Sequence, residues 1–168
     1  MEETAKLIDF SLLTLNSTDL QENTFVVEFL FGREMPAYPV GARQDMDGAA
    51  LKLVVDSRSS QRLLLVDRQG EKARFPKSEP FTAVGLRHFL GMPLIIGDQL
   101  IGTLGFNREI RPYSRKDLDK AERLGNLVTG AFADYKQQQY RDLAEREISK
   151  NKATLEAEPR SAEALVHL

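Results

Sequence analysis

The feature that most constrains the fold of this chain is a pair of apolar segments, residues 88–96 and 99–107, separated only by Gly97 and Asp98. A glycine and an aspartate between two apolar segments are typical of a tight two-residue turn that reverses a β-strand. The pattern therefore predicts an antiparallel hairpin, and we expect it to be the most regular hairpin of the sheet.

Other β-rich segments surround this hairpin. Strands are predicted at 7–15, 24–31 and 62–67, with a polar turn over 16–23, a short helix at about 47–57 and a long irregular loop over 68–87 that contains Pro76 and Pro80. Loops of that length inside a compact domain are usually functional or disordered. Together these elements predict an α+β fold with a central antiparallel sheet of five to six strands.

A long C-terminal helix is predicted to follow Pro112. Ser114 and Asp117 have the spacing of a capping box, and a stripe of apolar residues follows at three- and four-residue steps. We expect an unbroken helix from about Ser114 past Tyr140, with its first half packed on the domain. Beyond Tyr135 apolar residues are sparse, so we expect the second half to need a neighbour.

Length and composition limit the classes of protein to consider. A chain of 168 residues with 42% hydrophobic and 29% charged residues is sufficient for one globular domain with an appendage. The net charge of −2 argues against a nucleic-acid partner. The absence of a long apolar run or a signal-peptide pattern argues against a membrane segment and predicts a cytoplasmic location.

The sequence also excludes several chemistries. It has no cysteine, which removes disulfides, thiolate metal sites, cysteine nucleophiles and thioether-linked chromophores. Its two histidines, His88 and His167, are far apart, and no catalytic motif is present, so we expect neither a metal site nor an active site. Asp45 and Asp47 could suggest a cation loop, but a solvated turn explains them better.

The hairpin carries a family resemblance. Residues 85–104 place an apolar-Pro-apolar strand, a glycine turn and an apolar-Gly-apolar strand in succession, and residues 111–118 lead into the last helix. This pattern resembles the hallmark hairpin and final helix entry of GAF domains, and the looser strand order extends the likeness over residues 7–136. The resemblance implies a PAS-like sheet with helices on both faces and a long C-terminal helix.

The resemblance also implies a domain organisation and a role. We expect a sensory domain at 1–136 and a helical linker at 137–168 that leads toward the output domain of a sensor kinase, cyclase or transcriptional regulator. GAF domains normally begin with a helix, which this chain lacks before residue 7, so it is expected to be a fragment. Two alternatives remain open, a ligand-free dimerisation or spacer module and, more remotely, a small enzyme on the same fold.

In GAF domains the variable segment roofs one face of the sheet and forms a pocket, which corresponds here to residues 67–89. The resemblance therefore implies these candidate ligand-binding residues: Asp67, Arg74, Phe75, Phe81, Arg87 and Phe89. Aromatic rings could stack on a planar ligand, and arginines could pair with a carboxylate or phosphate. The competing interpretation is that the phenylalanines fill the core and the arginines are solvated.

The sequence does not identify a cofactor, and it indicates the partners only by class. The bilin-attaching cysteine of light-sensing GAF domains is absent, so a covalent bilin is excluded, and His88 does not match the position of the haem ligand in haem-binding members. The partners expected are an unidentified small molecule and a second copy of the chain, which would form a parallel homodimer through the C-terminal helix.

Overall fold

The structure, a computed structural model, describes residues 8–166, with side chains from Ile8 to Ala157. The chain divides into two compact units, the first ending at Thr129 and the second beginning at Gly130. The described residues leave out residue 7, the first of the predicted strand 7–15, and the segment before it, where an N-terminal helix would lie. They also leave out the last two residues of the predicted 137–168 linker. None of the helices within 8–166 combines the length and the apolar character that a membrane span requires.

The first unit is built on one six-stranded antiparallel sheet with the order β3-β2-β1-β6-β5-β4. Its strands are β1 (Leu12–Asp19), β2 (Thr24–Gly32), β3 (Arg43–Asp45), β4 (Gln61–Leu64), β5 (His88–Ile96) and β6 (Gln99–Arg108). The predicted α+β class and antiparallel sheet are confirmed. β1 and β6 lie at its centre and are each hydrogen-bonded on both sides.

Helices cover both faces of the sheet. The elements are α1 (Leu51–Ser57), a 3-10 turn (Pro76–Ser78), α2 (Glu79–Ala83) and α3 (Arg115–Val166). α1 and α2 pack with Phe25, Val27 and Phe89 in a hydrophobic core on one face, and the 3-10 turn leads directly into α2. The α3 residues that belong to the first unit approach the other face, where Gly125 lies against the side chain of Met92.

The predicted hairpin is confirmed. Ile96 pairs with Gln99, and the two residues between them form the turn, with Gly97 at a positive φ of 57°. That backbone conformation favours glycine. A bulge between Leu94 and Ile95 shifts the register once, and the pairing then continues to His88 and Arg108.

The predicted boundaries of the first strand are wrong. We expected a strand at 7–15 and a turn over 16–23, whereas β1 runs from Leu12 to Asp19 and the turn occupies only 20–23. The polar residues that suggested a turn have partners within the sheet. The Asn16 amide donates to the Thr103 hydroxyl at 3.3 Å, and the Ser17 hydroxyl donates to Glu28 at 2.6 Å.

The predicted loop over 68–87 is also more regular than expected, because it contains the 3-10 turn and α2. Both of its prolines lie at the first positions of these short helices, where a missing backbone N–H costs little. Other boundaries shift by a few residues: α1 begins at Leu51, and β4 ends at Leu64. Strand β3 is only three polar residues long and left no pattern to recognise.

Two glycines let an aromatic ring lie flat on the sheet. Gly91 and Gly105 are directly paired on β5 and β6, and the ring of Phe89 occupies the space above both. A Cβ at Gly91 would stand 2.8 Å from Cγ2 of Val54 and closer still to the Phe89 ring. Any side chain at this position would therefore displace Phe89.

We predict that Gly91→Ala lowers the free energy of unfolding by about 1–3 kcal/mol, because the added methyl group overpacks the core. Urea titration followed by circular dichroism measures the change. Gly130→Ala is the matched control, since a Cβ there meets no atom within 4 Å and the residue lies inside α3. This control should gain up to about 1 kcal/mol in helix stability. Equal effects of the two substitutions would contradict the packing argument.

Candidate functional site

A cavity of about 50 Å³ lies between the central strands and the roof formed by α1, the 3-10 turn and α2. Its floor consists of polar side chains on β1 and β6. Thr14 and Asn16 come from β1, and Thr103 and Asn107 come from β6. Because Asn16 pairs with Thr103, and Thr14 with Gly105, alternate residues of the two strands face the cavity together.

The polar floor is almost completely buried. Thr103 and Asn107 are each 1% exposed, and Asn16 is 5% exposed. Asn16 and Thr103 are hydrogen-bonded to each other. The Oδ1 atom of Asn107 is buried and accepts no hydrogen bond within the part of the chain that the structure describes.

The walls and the roof are mainly apolar and aromatic. Tyr38 stacks on Phe25 with ring centroids 6.4 Å apart and contacts Phe81 at 5.1 Å. Its hydroxyl donates to the carbonyl oxygen of Lys77 at 2.6 Å, which attaches it to the 3-10 turn. Burial raises the pKa of Tyr38, so its hydroxyl remains protonated at neutral pH. The roof is therefore held by one hydrogen bond and a group of aromatic contacts.

Of the six predicted ligand-binding residues, the structure places Phe81 and Phe89 in the cavity lining. Phe75 packs against the neighbouring core without lining the cavity. Arg74 is exposed, and its guanidinium lies 5.4 Å from the centre of the Phe75 ring. Whether any of these residues contacts a ligand stays a prediction.

The remaining two predicted residues lie outside the cavity and have local partners. Asp67 accepts the backbone N–H of Glu71 at 2.9 Å, and this bond lowers the pKa of the Asp67 carboxyl. Arg87 donates to the carbonyl of Thr82 at 2.7 Å and lines a separate open groove with Glu79. Since the cavity wall contains neither residue, our expectation of arginines around a bound anion finds no support in this geometry.

The polar floor was not predicted from the sequence. Thr14, Asn16, Thr103 and Asn107 were treated as parts of predicted strands or of a turn, without a role. A signal was present, because polar residues alternate with apolar residues or glycine within 12–16 and 103–107, which is unusual for a face that packs in a core. Interpreting it required knowing that β1 and β6 are neighbours.

His88 faces away from the cavity, since it precedes Phe89 on β5 and neighbouring residues of a strand point to opposite faces. Burial, reinforced by the positive charge of Arg108, lowers the pKa of His88. Within residues 8–157, no group of three or more histidine, cysteine or acidic side chains is arranged to hold a metal ion. Asp47 accepts from the Asn23 amide at 2.9 Å as part of a turn.

A buried arginine connects the sheet to the start of α3. Arg108, which follows the floor residue Asn107, is 6% exposed and donates to the carbonyls of Arg111 and Pro112 at 2.9 and 2.6 Å. It also pairs with Asp117 at 3.1 Å and lies 4.0 Å from the centre of the Tyr113 ring. Its position fixes the loop between β6 and α3.

The predicted capping box at the start of α3 is confirmed. The Asp117 backbone N–H donates to the Ser114 hydroxyl at 3.1 Å, and the Ser114 backbone N–H donates to the Asp117 carboxylate at 2.8 Å. Burial alone would raise the pKa of Asp117, but the hydrogen bonds from Ser114 and the nearby Arg108 outweigh it and lower the pKa below 3.8. The ionised carboxylate therefore stabilises both the helix start and the buried arginine.

We predict that Asp117→Asn lowers the free energy of unfolding at pH 7 by about 1–2 kcal/mol. Because the folded-state pKa of Asp117 is depressed, its contribution is present above about pH 3.8 and is lost as the pH falls through the folded value. The difference between variant and wild type should therefore shrink below pH 4 in urea titrations at several pH values. Asp119→Asn, an exposed carboxylate of the same helix turn, should change stability by less than about 0.5 kcal/mol. If the difference in the free energy of unfolding between Asp117→Asn and wild type did not change with pH, the stabilisation could not come from the ionised Asp117 carboxylate.

Comparison with known proteins identifies the fold and the family. The GAF domain model matches residues 7–132, well over half of the chain, while a search of curated proteins found no match. Similar solved structures include the GAF domain of a two-component sensor histidine kinase from Bacillus halodurans, at 15% identity and a TM-score of 0.69, covering 82% of this chain and 90% of that chain.

A second similar structure is the GAF domain of a phosphoenolpyruvate-protein phosphotransferase from Coxiella burnetii, at 15% identity and a TM-score of 0.62, covering 82% and 80% of the two chains. A third is the phycocyanobilin-bound GAF domain of a cyanobacterial phytochrome, at 17% identity and a TM-score of 0.58, covering 79% of each chain. These similarities show a shared fold, and the model match over residues 7–132 shows that the chain belongs to the GAF domain family, whose members are typically regulatory sensory modules of signalling proteins.

Proposed function

We propose that this GAF domain is a non-catalytic sensory module of a cytoplasmic signalling protein that binds a small molecule in the cavity between its sheet and its roof. The observation that carries the proposal is the buried polar floor of the cavity, formed by Thr14, Asn16, Thr103 and Asn107. Apolar walls with a few convergent polar groups are typical of small-molecule sites.

The cost of burying polar groups indicates that this floor binds a ligand and does not serve only as core. A buried polar group without a hydrogen-bond partner costs about 1–3 kcal/mol, so a face that serves only as core is expected to be apolar. The opposite face of β6 follows this expectation, because its buried residues Leu104 and Phe106 are apolar. The other buried polar side chain of β6, Arg108, is at the end of the strand and binds the loop and the first turn of α3, whereas Thr103 and Asn107 lie on the face that has the cavity.

The similar phytochrome GAF domain binds phycocyanobilin, which supports the idea that this fold accommodates a ligand. The same ligand is not expected here. The chain has no cysteine for covalent attachment, and the cavity of about 50 Å³ is far smaller than the roughly 300–1,000 Å³ of sites for drug-sized molecules. The ligand we propose is correspondingly smaller.

Signal transmission is proposed to pass through β6 into α3. Asn107 lines the cavity, and the next residue, Arg108, binds the loop and the first turn of α3. A ligand that binds one arrangement of the floor better than another would shift the equilibrium of this junction by the difference in affinity, and no further. The helix continues to Val166, toward an output domain of the kinase, cyclase or transcriptional regulator type.

A second copy of the chain is the partner that we propose for the distal part of α3. Tyr140, Leu143, Ile148 and Leu155 are 57–67% exposed, and apolar side chains of a long helix are stabilised when another helix covers them. If the cavity has no ligand, the same helix would make the chain a dimerisation and spacer module, which is our alternative function.

We predict that wild-type protein purified under mild conditions retains a small molecule that native mass spectrometry detects, and that Ala50→Leu does not retain it. Ala50 lines the cavity and is 8% exposed, so a leucine there fills the space that a ligand would occupy. Ala37→Leu is the matched control, because Ala37 is exposed on the neighbouring segment and should leave retention unchanged.

The two functions make opposite predictions for this experiment. Loss of the retained mass in the Ala50 variant alone supports the sensory function. Identical spectra without any bound mass in all three proteins, also after incubation with a metabolite extract, would favour the spacer function.

We also predict that the full chain is a dimer at high micromolar concentration and that truncation after Tyr135 makes it a monomer. Truncation removes Tyr140, Leu143, Ile148 and Leu155, the exposed apolar residues of the distal helix. Multi-angle light scattering measures both masses. A monomeric full chain would rule out dimerisation through this helix, and a dimeric truncated chain would place the dimer interface elsewhere.

A further inference from the structure

We infer that the cavity takes a small uncharged molecule that donates an N–H or O–H hydrogen bond to Oδ1 of Asn107. The inference rests on the proposed sensory function and specifies the ligand of that site. Its starting point is the buried amide oxygen in the cavity wall, which accepts no hydrogen bond from any residue in the described part of the chain.

The position of Asn107 explains why Oδ1 of its side chain has no hydrogen-bond partner among the described residues. β6 is paired on both sides at this residue, with Leu12 of β1 and Phe89 of β5, whose side chains have no donor. The backbone carbonyl of Asn107 already accepts the N–H of Ser11 at 2.8 Å. The strand therefore holds the side chain toward the cavity, and a molecule inside the cavity can supply the missing donor.

The charges of the lining select an uncharged ligand. Among the described residues, the lining has no carboxylate and no arginine, and its one ammonium, that of Lys77, donates to the carbonyl oxygen of Asp45. A cation in this cavity would meet no carboxylate. The Lys77 ammonium makes an exposed hydrogen bond, so an anion would have to draw it away from the Asp45 carbonyl. Burying an unpaired charge is far more costly than burying a neutral polar group. Both arginines predicted to bind an anion lie outside the cavity.

The volume limits the size of the ligand. A water molecule needs roughly 10–15 Å³ of such space, so a cavity of about 50 Å³ holds about four waters or one small ring. The rings of Phe25, Phe81 and Phe89 in the lining favour a flat molecule. A five-membered ring with one N–H fits these limits.

Pyrrole and furan test the inference as a matched pair, because the two rings have nearly the same size and only pyrrole donates a hydrogen bond. Each is titrated into the ¹⁵N-labelled full chain, and the affinity is taken from the shifts of the Thr103 and Gly105 amides. We expect pyrrole to bind about tenfold more tightly than furan, the effect of one neutral hydrogen bond. Pyrrole-2-carboxylate, which adds a charge, should bind more weakly than pyrrole.

Asn107→Leu removes the acceptor and keeps the approximate volume. We expect it to bind pyrrole and furan equally and to unfold at a higher urea concentration than wild type, since an amide with a buried unpartnered oxygen is replaced by an apolar group. Asn126→Leu, the same substitution at an exposed position of α3, should keep the preference for pyrrole. If the Asn107 variant does not fold, a nuclear Overhauser effect between the pyrrole N–H and the Asn107 side-chain amide in wild type tests the same contact.

The possible outcomes separate this inference from the proposed function. Equal binding of pyrrole and furan to wild type, or preference for the carboxylate, overturns the inference but leaves the cavity as a binding site. If none of the three probes binds, the inference is also overturned. The retention experiment with the Ala50 variant then decides the proposed function separately.

Discussion

The pairing of β6 on both sides, with β1 and with β5, is the constraint on which the rest of this domain depends. A strand bound on both edges cannot rotate, so beyond the bulge, from Gly102 onward, its residues alternate between the two faces of the sheet. Thr103, Gly105 and Asn107 face the cavity, while Leu104 and Phe106 face the side that α3 covers. One strand therefore contributes to the candidate site and to the helix interface.

The same strand ends in the junction with α3. Arg108 is buried with its guanidinium bound to three carbonyl oxygens and one carboxylate, so its charge is compensated, although its burial requires desolvation. Losing the contact with Asp117 would leave the buried charge uncompensated, which makes the junction sensitive to small displacements of β6. This sensitivity is the physical basis for proposing that events at Asn107 affect the start of α3.

The sequence predicted much of the fold and little of the candidate site. The β5–β6 hairpin, strand β2 and the capping box of α3 were predicted because their signals are local, namely a turn dipeptide, an apolar segment and a serine three residues before an aspartate. The start of β1 and the regular structure within 68–87 were not, because they depend on partners elsewhere in the chain. Phe81 and Phe89 were assigned to the pocket region through the family resemblance and do line the cavity.

By itself, the sequence determined the α+β class, the hairpin, the absence of cysteine chemistry and the start of the long helix, since each follows from neighbouring residues or from composition. Only the tertiary structure decided which side chains form the cavity. Asn16 and Thr103 are 87 residues apart and meet because β1 pairs with β6, and no local pattern specifies that pairing. Arg74 and Arg87 lie outside the cavity for a similar reason. The direction of a side chain depends on strand register and on the path of the roof, and packing determines both.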